Sequence, residues 1–381
     1  MLISNYKLFF QEYRGVLHAP ILLLIFFSLI GCSSDFVRNK EAREDQKELE
    51  ACVKFQKQVS KSFKAIVQTD PVSTFSADDD AADDPAIWIN HKQLDQSVVF
   101  GSNKKLGIHS YDLSGKEIQF IKAGKINNID IRQGIPFKMK VDLIGATNRT
   151  DHTIDFFIID SIGRIEQKPS YRIKLDHFDP YGFCLGQIYS DRLSAFVNYK
   201  SGLVEHFSLK MNYQGFSHKL EHKFKFQTQL EGMAVDDRNK ILYLGEEQKG
   251  IYSIDLSNKN PTPTLFTAST DDNPFIRYDI EGITILNDST LIASIQGNFS
   301  YAAFDRLSHE YIGSFKIVSG QFDAVEETDG IDLVQDSLNM TFPAGVFVVQ
   351  DGFNYLEQEL QNQNFKYLDL GPISEYIDSL R

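Results

Sequence analysis

The sequence is poor in cysteine, with only three among its 381 residues, at positions 32, 52 and 184. So few cysteines exclude a fold that depends on a framework of disulfides. A single bridge between Cys52 and Cys184 stays open. One of the two lies in a polar N-terminal segment and the other lies among repeated strand-like segments, and this separation favours two separate thiols.

Basic residues are outnumbered by acidic ones. Lys and Arg total 39 against 52 Asp and Glu, which gives a formal net charge of −13 at pH 7. This balance argues against nucleic-acid binding through a basic surface. The sequence also lacks a Gly-x-Ser-x-Gly elbow, a Walker loop and a His-Glu-x-x-His zinc motif. Of the nine histidines, only His152 falls near a candidate site, and we interpret it as structural.

The N-terminal apolar run, residues 21–30, is shorter than the ~20 residues that a membrane-spanning helix requires. It leads into a motif that resembles the bacterial lipobox, in which the cysteine is lipidated and becomes the mature N-terminus. The motif is Leu29-Ile30-Gly31-Cys32. We therefore expect residues 1–31 to be a lipoprotein signal peptide and Cys32 to carry a lipid anchor. An uncleaved anchor helix is the alternative.

The segment after the lipobox is polar and charged. We expect residues 32–70 to form a tether that is part helical, with the helix near residues 47–66, and residues 71–381 to form the main domain. Ser33 and Ser34 follow Cys32, so the Asp that would retain a lipoprotein at the inner membrane is missing. The expected location is therefore the bacterial cell envelope, lipid-anchored to the outer membrane.

A five-residue unit recurs six times along the main domain. Its form is polar, small or polar, apolar, variable, apolar, and the copies lie about 50 residues apart, which is typical of a kelch-like blade. The alternation of apolar residues indicates an inner strand. The sequence therefore predicts an all-β fold, a six-bladed β-propeller of four-stranded antiparallel blades around a central channel. The copies begin at Asp83, Asn127, Tyr181, Glu231, Glu281 and Asp329.

Four further segments have a strand–turn–strand pattern, at residues 98–113, 193–207, 241–256 and 291–304. In each, we expect the turn to follow the second strand of a blade and to lie beside the mouth of the channel. Residues 373–380 are expected to form a helix outside the last blade. The turns would bring to one face Lys104, Lys105, Lys200, Glu246, Glu247 and Gln296.

The first positions of the six units would form a strongly acidic ring around this mouth. Clustered carboxylates raise one another's pKa unless a cation neutralises them, and calcium accepts irregular sites of six to eight oxygens. Basic residues beside the acids suit a polyanion held through metal ions, with arginine able to bind two oxygens at once. The alternatives are solvated loop acids, solvated lysines, and arginines that pair with blade acids.

Longer motifs surround these residues in order along the chain. They are DAADDPAIW at 80–88, NKK at 103–105, NNIDIR at 127–132, NRT at 148–150, YGF at 181–183, EGMA at 231–234, DIEG at 279–282, QGN at 296–298, TDGID at 328–332 and FVVQDG at 347–352. Together they resemble the β-propeller phytases, which are calcium-dependent alkaline phosphatases of inositol hexakisphosphate. The resemblance covers residues 72–370.

The resemblance implies several calcium ions at the mouth and two neighbouring phosphate sites. It implies that a calcium-activated water attacks phosphorus in line, without a phospho-enzyme. The implied metal ligands are Asp83, Asp84, Glu231, Glu247, Asp279, Glu281, Asp329, Asp332 and Asp351. The implied phosphate-binding residues are Lys104, Lys105, Arg132, Arg149, Tyr181 and Lys200. The implied catalytic residues are Glu231, Lys104, Arg149, Tyr181 and Lys200.

One position departs from the family pattern, because Ser201 stands where a glutamate usually follows the lysine of the third blade. The implied partner is an inositol polyphosphate as its calcium complex, and we expect a monomer that binds no nucleic acid. Two other functions stay open at this point. One is a non-catalytic calcium-binding or ligand-binding propeller on the cell surface, and the other is a phosphatase for another phosphorylated compound.

Overall fold

The structure is a computed structural model that describes residues 47–76, 79–137 and 140–381. The expected signal peptide, the lipid-anchored Cys32 and the tether as far as residue 46 lie outside the described residues. In the part of the chain that is described, no helix has both the length and the apolar character to cross a membrane. Within the same part, Cys52 and Cys184 are each buried and are not joined by a disulfide.

In the described residues, six blades each contain four antiparallel strands, one blade gains a parallel fifth strand, and one small hairpin stands apart from the blades. The strands are numbered here in chain order. Residues 47–56 are helical (α1) and lead to the short strands β1 (Lys61–Phe63) and β2 (Val67–Gln68). The first blade contains β3 (Ala82–Trp88), β4 (Val98–Asn103), β5 (Gly107–Tyr111) and β6 (Glu117–Lys122). The second contains β7 (Ile126–Pro136), β8 (Lys140–Asn148), β9 (Thr153–Ile159) and β10 (Tyr171–Lys174). The third contains β11 (Pro180–Gly186), β12 (Leu193–Tyr199), β13 (Leu203–Asn212) and β14 (Gly215–Lys225).

The remaining blades continue in the same order. The fourth contains β15 (Leu230–Asp236), β16 (Ile241–Glu246), β17 (Gly250–Asp255) and β18 (Pro263–Ala268). The fifth contains β19 (Ile280–Asn287), β20 (Thr290–Ile295), β21 (Ser300–Asp305) and β22 (Tyr311–Ile317). The last stretch holds β23 (Ile331–Val334), β24 (Val346–Asp351), a small hairpin of β25 (Tyr355–Leu356) and β26 (Glu359–Leu360), β27 (Asn364–Asp369) and helix α2 (Leu370–Ser379).

The inner strands are β3, β7, β11, β15, β19 and β23, and each contacts the next around a closed ring in which β23 meets β3. Five of the recurring five-residue units overlap the start of an inner strand, and the sixth runs into β23. The prediction of a six-bladed all-β propeller with four-stranded blades is therefore confirmed. The expected strand–turn–strand segments are also present, as β4–β5, β12–β13, β16–β17 and β20–β21.

The sixth blade is completed by both ends of the chain. Strand β2 pairs antiparallel with β27, so that the order of this sheet is β2-β27-β24-β23. Strand β1 adds to blade 5 as a parallel fifth strand beside β22. The sequence placed residues 61–68 in the tether, and the structure corrects this: they belong to the propeller. Strands of three and two residues are too short to show an alternation of their own.

Each gap between neighbouring blades is filled by its own apolar cluster. Between blades 1 and 2, for example, Trp88 and Phe100 pack with Ile129 and Phe157, and all four side chains are buried. Six such clusters follow one another around the ring. Burial of apolar surface contributes about 25 cal/mol per Å², so these gaps hold the blades together and fix the circumference of the channel.

The second position of the unit is small for a steric reason. In blade 4, a Cβ added to Gly232 would lie 2.1 Å from the carbonyl oxygen of Glu281, in the next inner strand. In blade 3, a Cβ on Gly182 would lie 2.0 Å from the carbonyl oxygen of Glu231. The inner strands therefore approach closely only because these positions carry no side chain. This close approach brings the first positions of successive units together.

Candidate active site

A β-bulge at the start of the inner strands directs the first position of the unit into the mouth of the channel. In blade 4 the pairing of β15 with β16 shifts register between Leu230 and Met233, the interval that contains Glu231. Blades 1, 2, 3 and 5 have the same irregularity at the equivalent point. Bulges re-aim side chains, and here the repetition of one bulge places side chains from different blades around one cavity.

The resulting cavity has a volume of about 420 Å³ and is strongly acidic. Seven of the residues predicted for the site line it directly. They are Lys104, Tyr181, Glu231, Glu247, Asp279, Glu281 and Asp329. Among the described residues that line the cavity there is no serine, threonine, cysteine or histidine, so its chemistry rests on carboxylates, amides, one tyrosine and one lysine.

Three glutamates from blades 4 and 5 form the centre of the acidic side. Oxygens of Glu231, Glu247 and Glu281 all lie within 4.8 Å of one another, and all three residues are buried. Burial, followed by the charge of Glu231, raises the pKa of Glu247 to about 8. Burial and the same neighbour also raise the pKa of Glu281 well above its usual range. Ionised together, these groups require a counter-cation.

The donor set fits a divalent cation that prefers oxygen ligands. One carboxylate oxygen of Glu281, Oε2, is buried and has no hydrogen-bond partner. Buried acceptors without a partner are rare and call for an explanation, and a cation held by the three glutamates would supply one. Asp279 lies at the same wall of the cavity. Hard cations such as calcium take six to eight oxygen ligands of this kind.

Lys104 is the positive centre of the opposite wall. Its ammonium lies 2.7 Å from Asp329, 2.6 Å from Asp80 and 3.2 Å from Asp83. Burial alone would lower the pKa of Lys104, but Asp329, Asp83 and Asp80 together raise it well above the usual range. The lysine is therefore charged at any physiological pH and holds three carboxylates at one side of the mouth.

A cationic sector lies between blades 2 and 3, centred on Tyr181. The Lys200 ammonium lies 4.4 Å from the centroid of the Tyr181 ring, and the Arg149 guanidinium lies 5.7 Å from it. Arg149 also donates to Asn127, the first position of the second unit, over 3.4 Å. The charge of Glu231, followed by burial, raises the pKa of Tyr181, so its hydroxyl stays protonated and can donate a hydrogen bond.

Three of the predicted site residues lie deeper in the channel. The Asp84 carboxylate accepts from the backbone of Ile129 over 3.1 Å, and the Asp332 carboxylate accepts from the backbone of Ile87 over 2.9 Å. Arg132 pairs with Asp130 and Asp237. Arg132 is five residues beyond Asn127 on one strand, roughly 17 Å at 3.4 Å per residue. The expected role of Arg132 as a phosphate ligand at the mouth is therefore corrected to that of an ion pair within the channel.

Asp351 and Lys105 also differ from the expectation. Asp351 is fully buried in blade 6, where the ammonium of Lys366 lies 2.5 Å from its carboxylate. Burial raises the pKa of Asp351 to about 6 in spite of that lysine. An internal ammonium thus holds the position at which the sequence predicted a metal ion. Lys105 is half-buried beside Lys104 and does not line the cavity.

Sequence reasoning missed several polar residues of the mouth. Asp80 pairs with Lys104, and Gln229 donates to Glu247 over 2.6 Å. Glu327 also lines the cavity, and burial together with the charge of Asp329 raises its pKa to about 7. Asp80 and Glu327 each lie within three residues of a unit's first position, which is the signal that could have indicated them. Gln229 carried no such signal beyond its place two residues before Glu231.

The fold and the site together define a class of protein. A six-bladed propeller whose mouth combines clustered carboxylates with a cationic sector is suited to an ester of phosphoric acid held beside metal ions. The chain belongs to the phytase family, because the family's sequence model matches residues 48–380. The 3-phytase of Bacillus subtilis (strain 168) is 34% identical over 333 residues, which cover 83% of this chain and 85% of that protein. The protein is therefore a phosphoric monoester hydrolase.

Similarity to a solved structure is more remote. The crystal structure of the nidogen/laminin complex aligns with a TM-score of 0.44 and 12% identity, over 61% of this chain and 79% of that one.

Proposed function

We propose that this protein is a calcium-dependent phytase that releases inorganic phosphate from myo-inositol hexakisphosphate and leaves lower inositol phosphates. The observation that carries the proposal is the juxtaposition at one mouth of Glu231, Glu247 and Glu281, within 4.8 Å, and of the cationic sector around Tyr181. A highly charged polyanion that carries bound cations needs both groups of side chains. The cationic sector can bind its phosphates, and the glutamates can bind its cations.

Calcium bound by the glutamates would supply positive charge against phosphoryl oxygens and would lower the pKa of a water molecule. The side chains of the chain itself orient the ester. Arg149 can offer two parallel donors to one phosphate, and Lys200 offers an ammonium beside the same Tyr181 ring. The protonated Tyr181 hydroxyl adds a donor to a phosphoryl oxygen.

We propose that water attacks phosphorus directly, without a phosphorylated side chain. The support is that the described lining of the cavity contains none of the serine, threonine, cysteine or histidine nucleophiles. Burial, followed by the charge of Asp329, raises the pKa of Glu231, and this is the direction that suits a carboxyl that exchanges a proton with water. Glu231 is the side chain best placed to do so, because it faces both the other glutamates and Tyr181.

The test is phosphate release from calcium phytate at neutral to alkaline pH, with and without a chelator. We expect release that stops on chelation and returns with calcium, and product analysis that shows lower inositol phosphates. No release in the presence of calcium would favour a binding module. Faster release from another phosphate ester in a substrate panel would move the assignment to that compound.

We also propose that the protein acts as a monomer anchored through Cys32 to the bacterial outer membrane. The lipobox at residues 29–32 supports the anchor, and the completion of the mouth by blades of one chain supports the monomer. Replacement of Cys32 by alanine should release the protein from the membrane fraction. Light scattering of that released form should give the mass of one chain.

A further inference from the structure

In blades 1 to 4, a charged side chain of the mouth follows the second strand of the blade. The residue just before that charged residue occupies an equivalent position in all four blades. It is the last residue of the second strand and pairs across to the start of the inner strand, as in Ala82↔Asn103 and Ile126↔Asn148. We name these the turn residues. With the mouth residue that each precedes, they are Asn103 before Lys104, Asn148 before Arg149, Tyr199 before Lys200 and Glu246 before Glu247.

Behind the turn residues of blades 1 to 3, the third strand carries a buried polar side chain at one equivalent register. The pairs that define it are Gly101↔His109, Ala146↔Asp155 and Val197↔Glu205. These three side chains are at most 2% exposed. We name His109, Asp155 and Glu205 the support residues.

In blade 1 the support residue holds the turn through an amide. His109 contacts Asn103 over 3.2 Å at Nε2 and pairs with Glu117 over 2.6 Å at Nδ1. The other end of the Asn103 amide accepts from the backbone N–H groups of Lys105 and Leu106, over 2.9 and 3.0 Å. The turn that presents Lys104 is therefore closed by Asn103, and Asn103 is oriented by His109.

Blade 2 repeats this arrangement with a different support residue. Asp155 accepts from Asn148 over 3.0 Å, from Thr153 over 2.6 Å and from Arg172 over 3.0 Å. Asn148 in turn accepts from the backbone N–H of Thr150 over 3.0 Å. The turn that presents Arg149 is thus fixed by an asparagine that a buried carboxylate orients.

In blade 3 the link is a phenol. The Tyr199 hydroxyl donates to Glu205 over 2.6 Å, and Lys223 pairs with the same carboxylate over 2.7 Å. The carbonyl oxygen of Tyr199 accepts from Gly202 over 2.8 Å and so closes the turn that presents Lys200. The side chain that anchors the turn is therefore itself anchored by a buried acid.

The pattern is absent from blade 5, which has no charged residue at the equivalent mouth position. There the third-strand register holds Ala302, opposite Ala293, and the turn is the short 3-10 stretch Gln296–Asn298. Buried polar groups are costly unless they are fully hydrogen-bonded. Blade 6 has such a pair as well, because Lys366 stands opposite Val349 at this register and its ammonium lies 2.5 Å from Asp351, which precedes the uncharged Gly352. The buried polar groups therefore favour a role in fixing the turn itself, and in blades 1 to 3 that turn presents a cation.

We propose that His109, Asp155 and Glu205 are positioning residues, which act through Asn103, Asn148 and Tyr199 to fix the turns that present the phosphate-binding side chains Lys104, Arg149 and Lys200. The proposal rests on the proposed function for the meaning of those three cations. A long side chain can place its charge only as accurately as its own Cα is held, and errors of about 1 Å can lower rates as much as 100-fold.

The test compares two tyrosines that each lose only a hydroxyl. Tyr199→Phe breaks the link between Glu205 and the Lys200 turn. Tyr243→Phe is the matched control, because Tyr243 is equally buried in a second strand but its hydroxyl contacts Arg306, near Asp236 at the opposite end of the blade. Measurements are the KM for phytate, kcat, the inhibition constant of inorganic phosphate, the melting temperature and backbone hydrogen exchange.

For Tyr199→Phe we expect the KM and the inhibition constant of phosphate to rise about tenfold, the value of one lost charged hydrogen bond, with kcat changed less than about twofold. Exchange of the amides at residues 200–202 should accelerate, and exchange elsewhere should not. Tyr243→Phe should lower the melting temperature by a similar amount without these changes. Equal effects of the two variants on KM, or unchanged exchange at residues 200–202 in Tyr199→Phe, would overturn the proposal.

A second pair keeps the test decisive if Tyr199→Phe does not fold. Asp155→Asn retains an acceptor for Asn148, whereas Asp155→Ala does not, so the first should rescue phosphate affinity relative to the second. Similar affinities in both would contradict positioning. Hydrogen exchange requires no substrate, so a wild-type protein that releases no phosphate from phytate would refute the proposed function while the exchange result still decides whether the turn is held.

Discussion

The ammonium of Lys104, in the first blade, lies 2.7 Å from the carboxylate of Asp329, at the start of the sixth. The contact bridges the seam at which the propeller closes, and the same lysine faces the proposed phosphate site. Removal of one partner of a buried ion pair costs about 3–5 kcal/mol, because the other charge is left without compensation. The Lys104 side chain is therefore expected to contribute both to the stability of the propeller and to binding of the phosphate.

Lys104→Met should reduce kcat/KM for phytate at least about 100-fold and lower the melting temperature at pH 8. The loss of stability should be smaller at lower pH, such as pH 5, because burial raises the pKa of Asp329 and of Asp83 and these carboxyls can take up protons in place of the missing ammonium. Melting curves at the two pH values test this. An equal loss of stability at both would show that the lysine contributes through packing and not through its charge.

Glu231→Gln should separate activity from stability. The amide retains the shape of the carboxylate but removes one charge from the group of three glutamates, so repulsion within the metal-free protein falls. We expect kcat to fall about 100-fold, the value of one well-placed catalytic group, while the melting temperature in chelator at pH 8 stays the same or rises. Glu221→Gln is the control, because it removes one charge from the outer strand β14. Loss of stability in Glu231→Gln as large as its loss of activity would indicate a purely structural residue.

Much of the fold could be predicted from one recurring unit, because the inner strand of every blade begins at this unit and packs against the next inner strand in the same way. Position within the unit determines which side of the bulge a residue occupies, so the first positions of the units could be grouped at the mouth. The sequence could not show that Asp83 and Asp84 separate, with Asp83 beside Lys104 and Asp84 bonded to the backbone of Ile129 farther along the channel. That separation depends on the bulge, which pattern alone does not locate.

The sequence also could not show which residues pair with partners that are distant along the chain. Asp351 suggested a metal ligand, but the chain supplies its own cation from Lys366, which stands on the neighbouring strand β27. Closure of the ring by β2 was hidden for the same reason, because its pairing partner β27 lies about 300 residues away and two residues carry no periodic signal. Local patterns predict elements, whereas these pairings depend on how the ring closes.

Arg149 and Arg132 offer a direct comparison of two arginines at different depths. Arg149→Lys keeps the charge but loses the fork that can bind two oxygens of one phosphate. We expect kcat/KM for phytate to fall at least about tenfold, mainly through KM. Arg132→Lys should leave KM within about twofold, because Arg132 is engaged with Asp130 and Asp237 in the channel. A rise in KM for Arg132→Lys as large as that for Arg149→Lys would restore Arg132 to the phosphate site.

The pH dependence of stability should change sign with calcium. The pKa of Glu247 is raised from near 4.5 to about 8, and that of Glu327 to about 7, chiefly by burial. Because the folded protein binds these protons more tightly than the unfolded chain, metal-free stability should be highest below about pH 4.5 and should fall as the pH rises toward 8. Calcium competes with the protons, so it should stabilise most at the alkaline end.

Melting curves in chelator and in saturating calcium at pH 5 and pH 8 test this dependence. Ligand at 100 times its dissociation constant contributes about 2.7 kcal/mol, which corresponds to a rise of roughly 5 °C for a protein of this size. We expect such a rise at pH 8 and a smaller one at pH 5. Magnesium is the control ion, because it demands a smaller and more regular site. An equal gain at both pH values would place the stabilising calcium away from the glutamates.

Truncation should show that the N-terminal segment is part of the propeller. A chain that begins at residue 71 lacks β1 and β2, which exposes the edge of β27 and removes the hydrogen bonds that Ile66 and Thr69 donate to Tyr367 and Phe365, at 3.0 and 2.8 Å. It also removes the buried side chain of Ala65. We expect its melting temperature to fall by more than about 10 °C, or the protein to aggregate through the exposed edge.

The control is a chain that begins at residue 47, which keeps both strands and should melt at the same temperature as the full-length protein. Identical melting of the two truncated chains would mean that β27 needs no partner and that the sixth blade closes without the N-terminal strands.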